Sequence, residues 1–450
     1  MSTTRLRIVT MLQIIDLRGS RPDGQDLAAR LPRAEVDIDK ALEAVHPLID
    51  EVRKRGQAAL LELAERFDGV RPEHLRVPEA ALDSALANLS PALRQALEIS
   101  IAHNRAGHRA QLPTECETEI VPGGIVRQRW VPVSRVGLYV PGGLAVYPSS
   151  VIMNAVAAQV AGVGQIAIAS PPQADRGGLP HPTILAACRL LGIDEVYAVG
   201  GAQAIAMFAY GVDGLCDGVD VVTGPGNIFV AAAKRAVRGV VGIDAEAGTT
   251  EIAIIADASA DPDYVAADLV SQAEHDPAAA SVLITDSPEQ AAAVDNRCQV
   301  RAAATKHAQR VQTALGGPQS GIVLVDDIDA AIAVANAYAG EHLEIHTAQA
   351  SDDAARIRNA GAVFVGPYNP VPLGDYMAGS NHVLPTGGTA RFSAGLNVHA
   401  FLKSVQEIEY SRAAMAALYE PLRALACDED LPAHAEALAA RLEGADADSL

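Results

Sequence analysis

Between residues 35 and 111 the apolar positions recur at helical spacing. DIDKALEAVHPLIDEVRKRGQAALLELAERF and EAALDSALANLSPALRQALEISIAHNRAG carry a 3.6-residue period with few strand signals, which predicts a helical subdomain. After WVPVSRVGLYVPGG the pattern changes to short β-branched runs, QIAIAS, EVYAVGG and VDVVTGPGN, separated by the helical segments VIMNAVAAQVAGVG, TILAACRLLG and AQAIAMFAYG. Continuous apolar runs of this kind fit strands covered on both faces, hence repeated βαβ units and a mainly parallel sheet. The alternation restarts with EIAIIAD, a helix through SQAEH, SVLITD, a long helix to Gly316, GIVLVDD, AAIAVANAYAG, EHLEIHT and AGAVFVG. A Gly- and Pro-rich segment without periodicity follows, GPYNPVPLGDYMAGSNHVLPTGGTARFSAGL, of the kind that is usually functional inside a compact domain. The chain then returns to helix, with Pro432 placed for a first helical turn.

The predicted fold class is α/β: two Rossmann-like, incomplete, parallel-sheet domains, a helical N-terminal subdomain and a small helical C-terminal segment. The expected boundaries are 1–34 for a lead-in, 35–115 for the helical part and 116–138 for a connection. The two α/β domains follow at 139–250 and 251–395, and the C-terminal segment at 396–450.

Charge and composition narrow the partners. With 35 Lys+Arg against 55 Asp+Glu in 450 residues, the net charge of -20 repels polyanions, so nucleic acid and anionic membrane are not expected. Five widely spaced cysteines, 116, 188, 216, 298 and 427, form no C-x-x-C, which indicates neither a disulfide framework nor a thiolate zinc site and suits a reducing cytoplasm. No export signal or membrane span is expected.

The candidate chemistry is scattered. Gly162 to Ala167 satisfies G-x-G-x-x-A, but it follows a helix and precedes a strand, the reverse of a phosphate-binding context. Three strand-to-helix turns, LYVPGG, AVGGAQ and VVTGPGNIF, are better placed to bring backbone amides to a phosphate-bearing cofactor; each alone reads more plainly as a tight turn, and their recurrence in successive βα units points to a site. Gln272 interrupts the stripe Val265, Leu269 and stands three residues before His275, a spacing that lets both reach one ion; a satisfied core histidine is the plainer reading. Glu341 and His342 at a predicted strand start form a carboxylate and imidazole suited to proton transfer, or simply a surface dipeptide. Asp375, His382 and His434 are further oxygen and nitrogen donors, and a Gln, His, Asp, His set suits Zn²⁺ or another divalent ion.

The segments RVGLYVPGG, GGAQAIAMFAYG, VTGPGNIFVAAAKR, AEAGTTEIAIIAD, SQAEHDP, GEHLEIHT, GDYMAGSNHVLPTGGTARFSAGL and LPAHAEAL, in this order, closely resemble the histidinol dehydrogenase family over nearly the whole chain. The resemblance implies a cytoplasmic homodimeric enzyme of histidine biosynthesis. It would contain one zinc per subunit and oxidise L-histidinol through L-histidinaldehyde to L-histidine with two NAD⁺ per turnover. It implies that 139–250 binds NAD, with Tyr139, Gln203 and Asn227 in contact, and that 396–450 serves dimerisation. It further implies Gln272, His275, Asp375 and His434 as zinc ligands and Glu341 and His342 as the acid/base pair. Thr250, His342 and Glu429 would join the zinc ligands around the substrate, with Glu429 and His434 reaching in from the second subunit. One departure stands at Gly248-Thr249-Thr250-Glu251, where the family pattern is Gly-Pro-Ser-Glu; Thr250 keeps the hydroxyl. A zinc-dependent hydrolase or a metabolite-binding protein on the same scaffold are the alternative readings.

Overall fold

The structure, a computed structural model, describes residues 10–19, 24–34, 37–142, 146–246 and 248–443. The first nine residues of the expected extension and Gly143 of the first glycine turn lie outside them. The chain divides into two units, one formed by residues 1–111 and 133–401, the other by 112–132 and 402–450.

In the first unit, the helical part comprises α1 (Gly24–Arg30), α2 (Ile38–Arg55), α3 (Gln57–Phe67), α4 (Glu79–Ala87) and α5 (Pro91–Arg109). Local chemistry sets their starts: Asp37 accepts from the Lys40 amide at 3.0 Å, and Ser90 from the Leu93 amide at 3.3 Å with Pro91 in the first turn. Val45, Ile49, Val52 and Leu60 face inward against Ile205, Phe208 and Val230 in a shared apolar cluster, so α2 and α3 pack against the first α/β domain.

The first sheet is built from β4 (Arg135–Tyr139), β5 (Gln165–Ser170), β6 (Val196–Ala198), β7 (Val221–Thr223) and β8 (Gly242–Ile243) in the order β6-β5-β4-β7-β8, all parallel. Helices α6 (Pro148–Ala161), α7 (Pro182–Leu190), α8 (Gly201–Tyr210) and α9 (Ile228–Val237) make the crossovers.

The second sheet has the order β1-β11-β10-β9-β12-β13 and is also parallel throughout. Its strands are β1 (Gln13–Asp16), β9 (Glu251–Ala256), β10 (Ala280–Thr285), β11 (Gly321–Leu324), β12 (His342–His346) and β13 (Ala362–Val365). The connecting helices are α10 (Pro262–Ala273), α11 (Pro288–Ala304), α12 (Ala308–Leu315), α13 (Ile328–Tyr338), α14 (Ala350–Ala354) and α15 (Val371–Tyr376).

Three expectations need correction in this unit. The lead-in is not a bare extension, because QIID pairs as an edge strand with Gly321–Leu324, held by Met11 and Leu12 amides donating to Asp295 at 3.0 and 2.9 Å. The long helix expected to run to Gly316 breaks at Thr305, whose extended backbone separates α11 from α12. Glu341 and His342 are not a surface dipeptide: both are buried, and β12 lies between β9 and β13 and is buried along its whole length.

The second unit contains β2 (Cys116–Val121), β3 (Gly124–Pro132) and β14 (Leu402–Tyr410), an antiparallel sheet in the order β14-β3-β2, followed by α16 (Arg412–Ala417), α17 (Tyr419–Asp428) and α18 (Pro432–Glu443). Residues expected to be a connection and a purely helical tail therefore pair as strands. The pairing is written in charge: Arg127 bonds Glu117 at 2.6 Å and also Glu409, and Arg129 meets Glu407 at 2.7 Å, so polar side chains alternate along an exposed ladder.

Candidate active site

In the first sheet, connections leave β4 toward β5 and β6 on one side and lead to β7 and β8 on the other. The carboxyl ends of β4 and β7 therefore border the crevice where open α/β sheets receive ligands. The turn after β7 is Gly224-Pro225-Gly226-Asn227. Gly224 has φ +124°, and a Cβ there would lie 2.0 Å from the Tyr139 carbonyl oxygen, so glycine alone permits this approach. Lys234 donates to the Gly224 and Ala245 carbonyls at 3.0 and 2.9 Å and to the Asp244 carboxylate, which accepts from the Gly224 amide at 2.8 Å. A buried ion pair thus grips both ends of the glycine peptide from below, a device the sequence reading missed because a lone Lys at the end of an apolar helix carries no pattern.

The three residues expected to touch a cofactor lie along this carboxyl edge. Asn227 caps α9, its Oδ1 accepting from the Phe229 and Val230 amides at 3.1 and 3.2 Å. The Tyr139 ring is buried, and its hydroxyl accepts from the Gly201 amide at 3.1 Å in the turn after β6. Gln203 is 2% exposed, and among the described residues its Nε2 has no partner; neither does the buried Ser170 Oγ at the end of β5. Unpartnered buried polar groups beside glycine turns at one sheet edge fit a polar ligand of dinucleotide type.

The second sheet keeps its chemistry at the opposite, amino edge. Helix α10 runs back to that edge and delivers Gln272 in its last turn. The helix stops at Ala273, so His275 follows the Glu274 cap and does not share a helical face with Gln272 as the spacing predicted; Pro277 excludes helix from Asp276. Glu341 and His342 open β12, and Thr250 directly precedes β9.

These groups are bonded together. Thr250 Oγ1 donates to Glu341 Oε2 at 2.5 Å and accepts from Gln272 Nε2 at 2.6 Å, while the Glu251 amide donates to the same Glu341 oxygen at 3.0 Å. Burial pushes the Glu341 carboxyl up to about 7 against these donors. His342 Nδ1 stands 3.2 Å from the Glu251 carbonyl oxygen, an acceptor, so Nδ1 carries the proton and Nε2 presents a lone pair. Burial also lowers the His342 imidazole to about 4, which keeps it neutral. Its Nε2 has no partner among the described residues.

Asp375 lies in α15, where burial raises its carboxyl against the opposing pull of His342 and His275. Gln272, also 2% exposed, gives the test for a metal: its amide is oriented by the bond to Thr250, which leaves Oε1 buried without a donor among the described residues. An acceptor in that state, beside His275 and Asp375, fits a cation with nitrogen and oxygen ligands such as zinc.

His382, weighed as a donor, is engaged at both ring nitrogens, with Ser150 Oγ at 3.0 Å and the Asp375 carbonyl at 3.1 Å, so it is not free as a ligand. It does something else: Ser150 stands in the first turn of α6, directly after the β4 glycine turn, so His382 links the ligand edge of the first sheet to the Asp375 loop at the second. Glu251, which the sequence reading passed over, is a further buried carboxyl at about 7, raised by burial and bonded to the Gly387 amide at 3.0 Å. Its signal was an acid opening a fully apolar run. Glu429 and His434 belong to the second unit and are exposed, the first at the end of α17 and the second in the first turn of α18.

The sequence profile described as Histidinol dehydrogenase matches residues 31–442. The histidinol dehydrogenase of Thermobifida fusca is 61% identical over 433 residues, covering 96% of this chain and 98% of that protein. That of Nocardia farcinica is 61% identical over 433 residues, covering 95% and 97%. The crystal structure of histidinol dehydrogenase from Elizabethkingia anophelis superposes with a TM-score of 0.89 at 29% identity, covering 96% of this chain and 98% of that one. On profile, identity and fold together, the chain belongs to the histidinol dehydrogenase family.

Proposed function

We propose that the chain oxidises L-histidinol to L-histidine by way of L-histidinaldehyde, in the last steps of histidine biosynthesis, with two NAD⁺ and one zinc per subunit. The observation that carries this reading is the pair of buried, unpartnered acceptors at one sheet edge, Gln272 Oε1 and His342 Nε2, in a chain of this family. Neither has a partner among the described residues, and their chemistry differs as a metal ligand and a proton acceptor differ.

Gln272, His275 and Asp375 hold the metal in this reading, and Tyr139, Gln203 and Asn227 the cofactor. Bound zinc would supply a Lewis-acidic anchor for the substrate's nitrogens, and bound NAD⁺ would accept hydride in each oxidation. The protein's own groups move the protons. Neutral His342, with its Nδ1 proton fixed on the Glu251 carbonyl, takes the alcohol proton on Nε2 in the first oxidation. Glu341, poised near neutrality, removes a proton from the water that hydrates the aldehyde, and His342 takes the hydrate's hydroxyl proton in the second oxidation. Thr250 holds Glu341 and Gln272 in register through one hydroxyl.

In the same reading a second copy of the chain supplies Glu429 and His434 to the substrate and the metal. Mixing inactive His275→Ala and His434→Ala subunits tests this directly. Hybrid dimers should regain part of the activity, and an inactive mixture of exchanged subunits rules out the shared site.

The decisive measurement is NADH formed per L-histidinol consumed, before chelation, after it, and after zinc return. Two NADH, lost with the metal and restored by zinc, is the expected result. NAD-independent turnover would favour a zinc hydrolase, and zinc-dependent binding without NADH a metabolite-binding protein.

A further inference from the structure

Helix α10 packs on the second sheet through an apolar layer that includes Val265, Leu269, Ile254 and Val371, yet three polar groups sit inside this layer. Asp268, Glu344 and His346 bring one ligand atom each to within 4.8 Å of one another. Glu344 is 0% exposed and His346 4%. Nothing in the proposed chemistry uses them.

The connections of Glu344 explain why a carboxyl stands where leucine would pack. One oxygen, Oε1, accepts from the Val371 amide at 3.0 Å, the first residue of α15, whose fifth residue is Asp375. The other, Oε2, lies 3.3 Å from His346 Nε2 on the same strand. Asp268, on α10 one turn before Gln272, completes the cluster, a carboxyl oxygen lying within 4.8 Å of the Glu344 and His346 ligand atoms. His342 lies on the same face of β12 as Glu344 and His346, because alternate residues of a strand share a face. The three elements joined at Glu344 are therefore the ones that carry Gln272, His342 and Asp375.

We propose that Asp268, Glu344 and His346 are positioning residues: a buried polar strut that fixes α10, β12 and α15 against one another and so sets Gln272, His342 and Asp375 in register. The proposal rests on the reading of Gln272 and Asp375 as metal ligands. Apolar packing alone is non-directional and allows small sliding of a helix over a sheet, whereas a hydrogen-bonded cluster in the interior is satisfied in one geometry only. Such clusters add positional definition more than stability, since their desolvation cost offsets their attraction. A proton shared between the two carboxyls is consistent with burial pushing Asp268 up to about 8 and Glu344 up to about 7, with Arg301 of α11 and His346 opposing the rise at Asp268.

The test compares Glu344→Gln with Glu344→Leu in the full-length protein, reading zinc affinity by chelator competition together with the melting temperature. The amide can still accept from Val371 and donate to Asp268, so zinc affinity should stay within about threefold of wild type. The leucine variant leaves the Val371 amide without its acceptor and should melt lower, and it should bind zinc about tenfold or more weakly, the range seen when groups behind metal ligands are lost. Wild-type zinc affinity in Glu344→Leu overturns the proposal, as does equal loss in both variants with lowered melting, which would mark a packing role. If Glu344→Leu does not fold, Asp268→Asn against Asp268→Leu makes the same comparison on the half-buried side. A second bound zinc that disappears in His346→Ala also overturns it, in favour of a cation site at the cluster. His275→Ala is the control: zinc retained there would sink the metal-site reading itself, independently of the strut.

Discussion

Thr250 and Glu341 meet through a 2.5 Å hydrogen bond, hydroxyl to carboxylate, and the same hydroxyl accepts from Gln272 at 2.6 Å. One side chain from the residue before β9 thus orients both a proposed base and a proposed metal ligand. Because the Gln272 amide must donate to Thr250, its oxygen is turned the other way, into a place where no donor among the described residues reaches it.

Thr250→Ser should therefore preserve activity, and Thr250→Val should not. Valine leaves the Gln272 amide nitrogen without an acceptor and removes a donor from Glu341, a loss on the order of 1–3 kcal/mol for each buried group left unpaired. The Thr250 hydroxyl lowers the Glu341 carboxyl, so its removal should move the acidic limb of the second oxidation to higher pH. Rate profiles for L-histidinaldehyde oxidation by the two variants check this; an unshifted limb in Thr250→Val would separate the hydroxyl from the Glu341 titration.

Replacing His342 with Asn should lower kcat of both oxidations by roughly 10² or more, the usual scale for a lost general base. Burial depresses this imidazole from 6.5 to about 4, so it stays neutral and able to accept a proton as pH falls, until about pH 5. Alcohol oxidation should accordingly show no His342 limb between pH 6 and 7. Single-turnover rates for each oxidation, measured across that range, decide the point.

Glu341→Gln should affect the two steps unequally. The carboxyl is raised from 4.5 to about 7, so its base form accumulates only as pH rises through neutrality, and wild-type aldehyde oxidation should rise over the same window. The variant should still form the first NADH and stall before the second. A measured stoichiometry of two NADH per L-histidinol in Glu341→Gln would remove Glu341 from the hydration step.

Lys234→Met should destabilise the protein by about 3–5 kcal/mol, because Asp244 would stay buried without its cation. The Gly224 carbonyl would also lose its donor, so NAD⁺ should bind more weakly. Urea unfolding and equilibrium cofactor titration report the two effects separately. Adding Asp244→Asn should recover part of the stability while leaving the turn without its lysine.

Much of the molecule was legible in the chain. Continuous β-branched runs alternating with helices specify buried parallel strands, and SVLITD, EIAIIAD and QIAIAS fold as such. The polar break at Gln272 and the acid-imidazole pair opening EHLEIHT were visible because each contradicts an otherwise regular pattern. Features that depend on distant partners were not. QIID joins a sheet only because a partner about 300 positions away offers an edge, and β3 pairs with β14 across a similar gap.

Sequence alone determined the fold class, the two α/β repeats and the residue types available for chemistry, since period and turn residues act over a few positions. Tertiary structure decided which of those residues meet and in what state. It placed His382 between Ser150 and Asp375, turned the Gln272 oxygen away from every donor among the described residues, and buried Glu341 and His342 deeply enough to move their proton affinities in opposite senses. Hydrogen-bond direction and desolvation are properties of three-dimensional surroundings, and no local pattern in the chain encodes them.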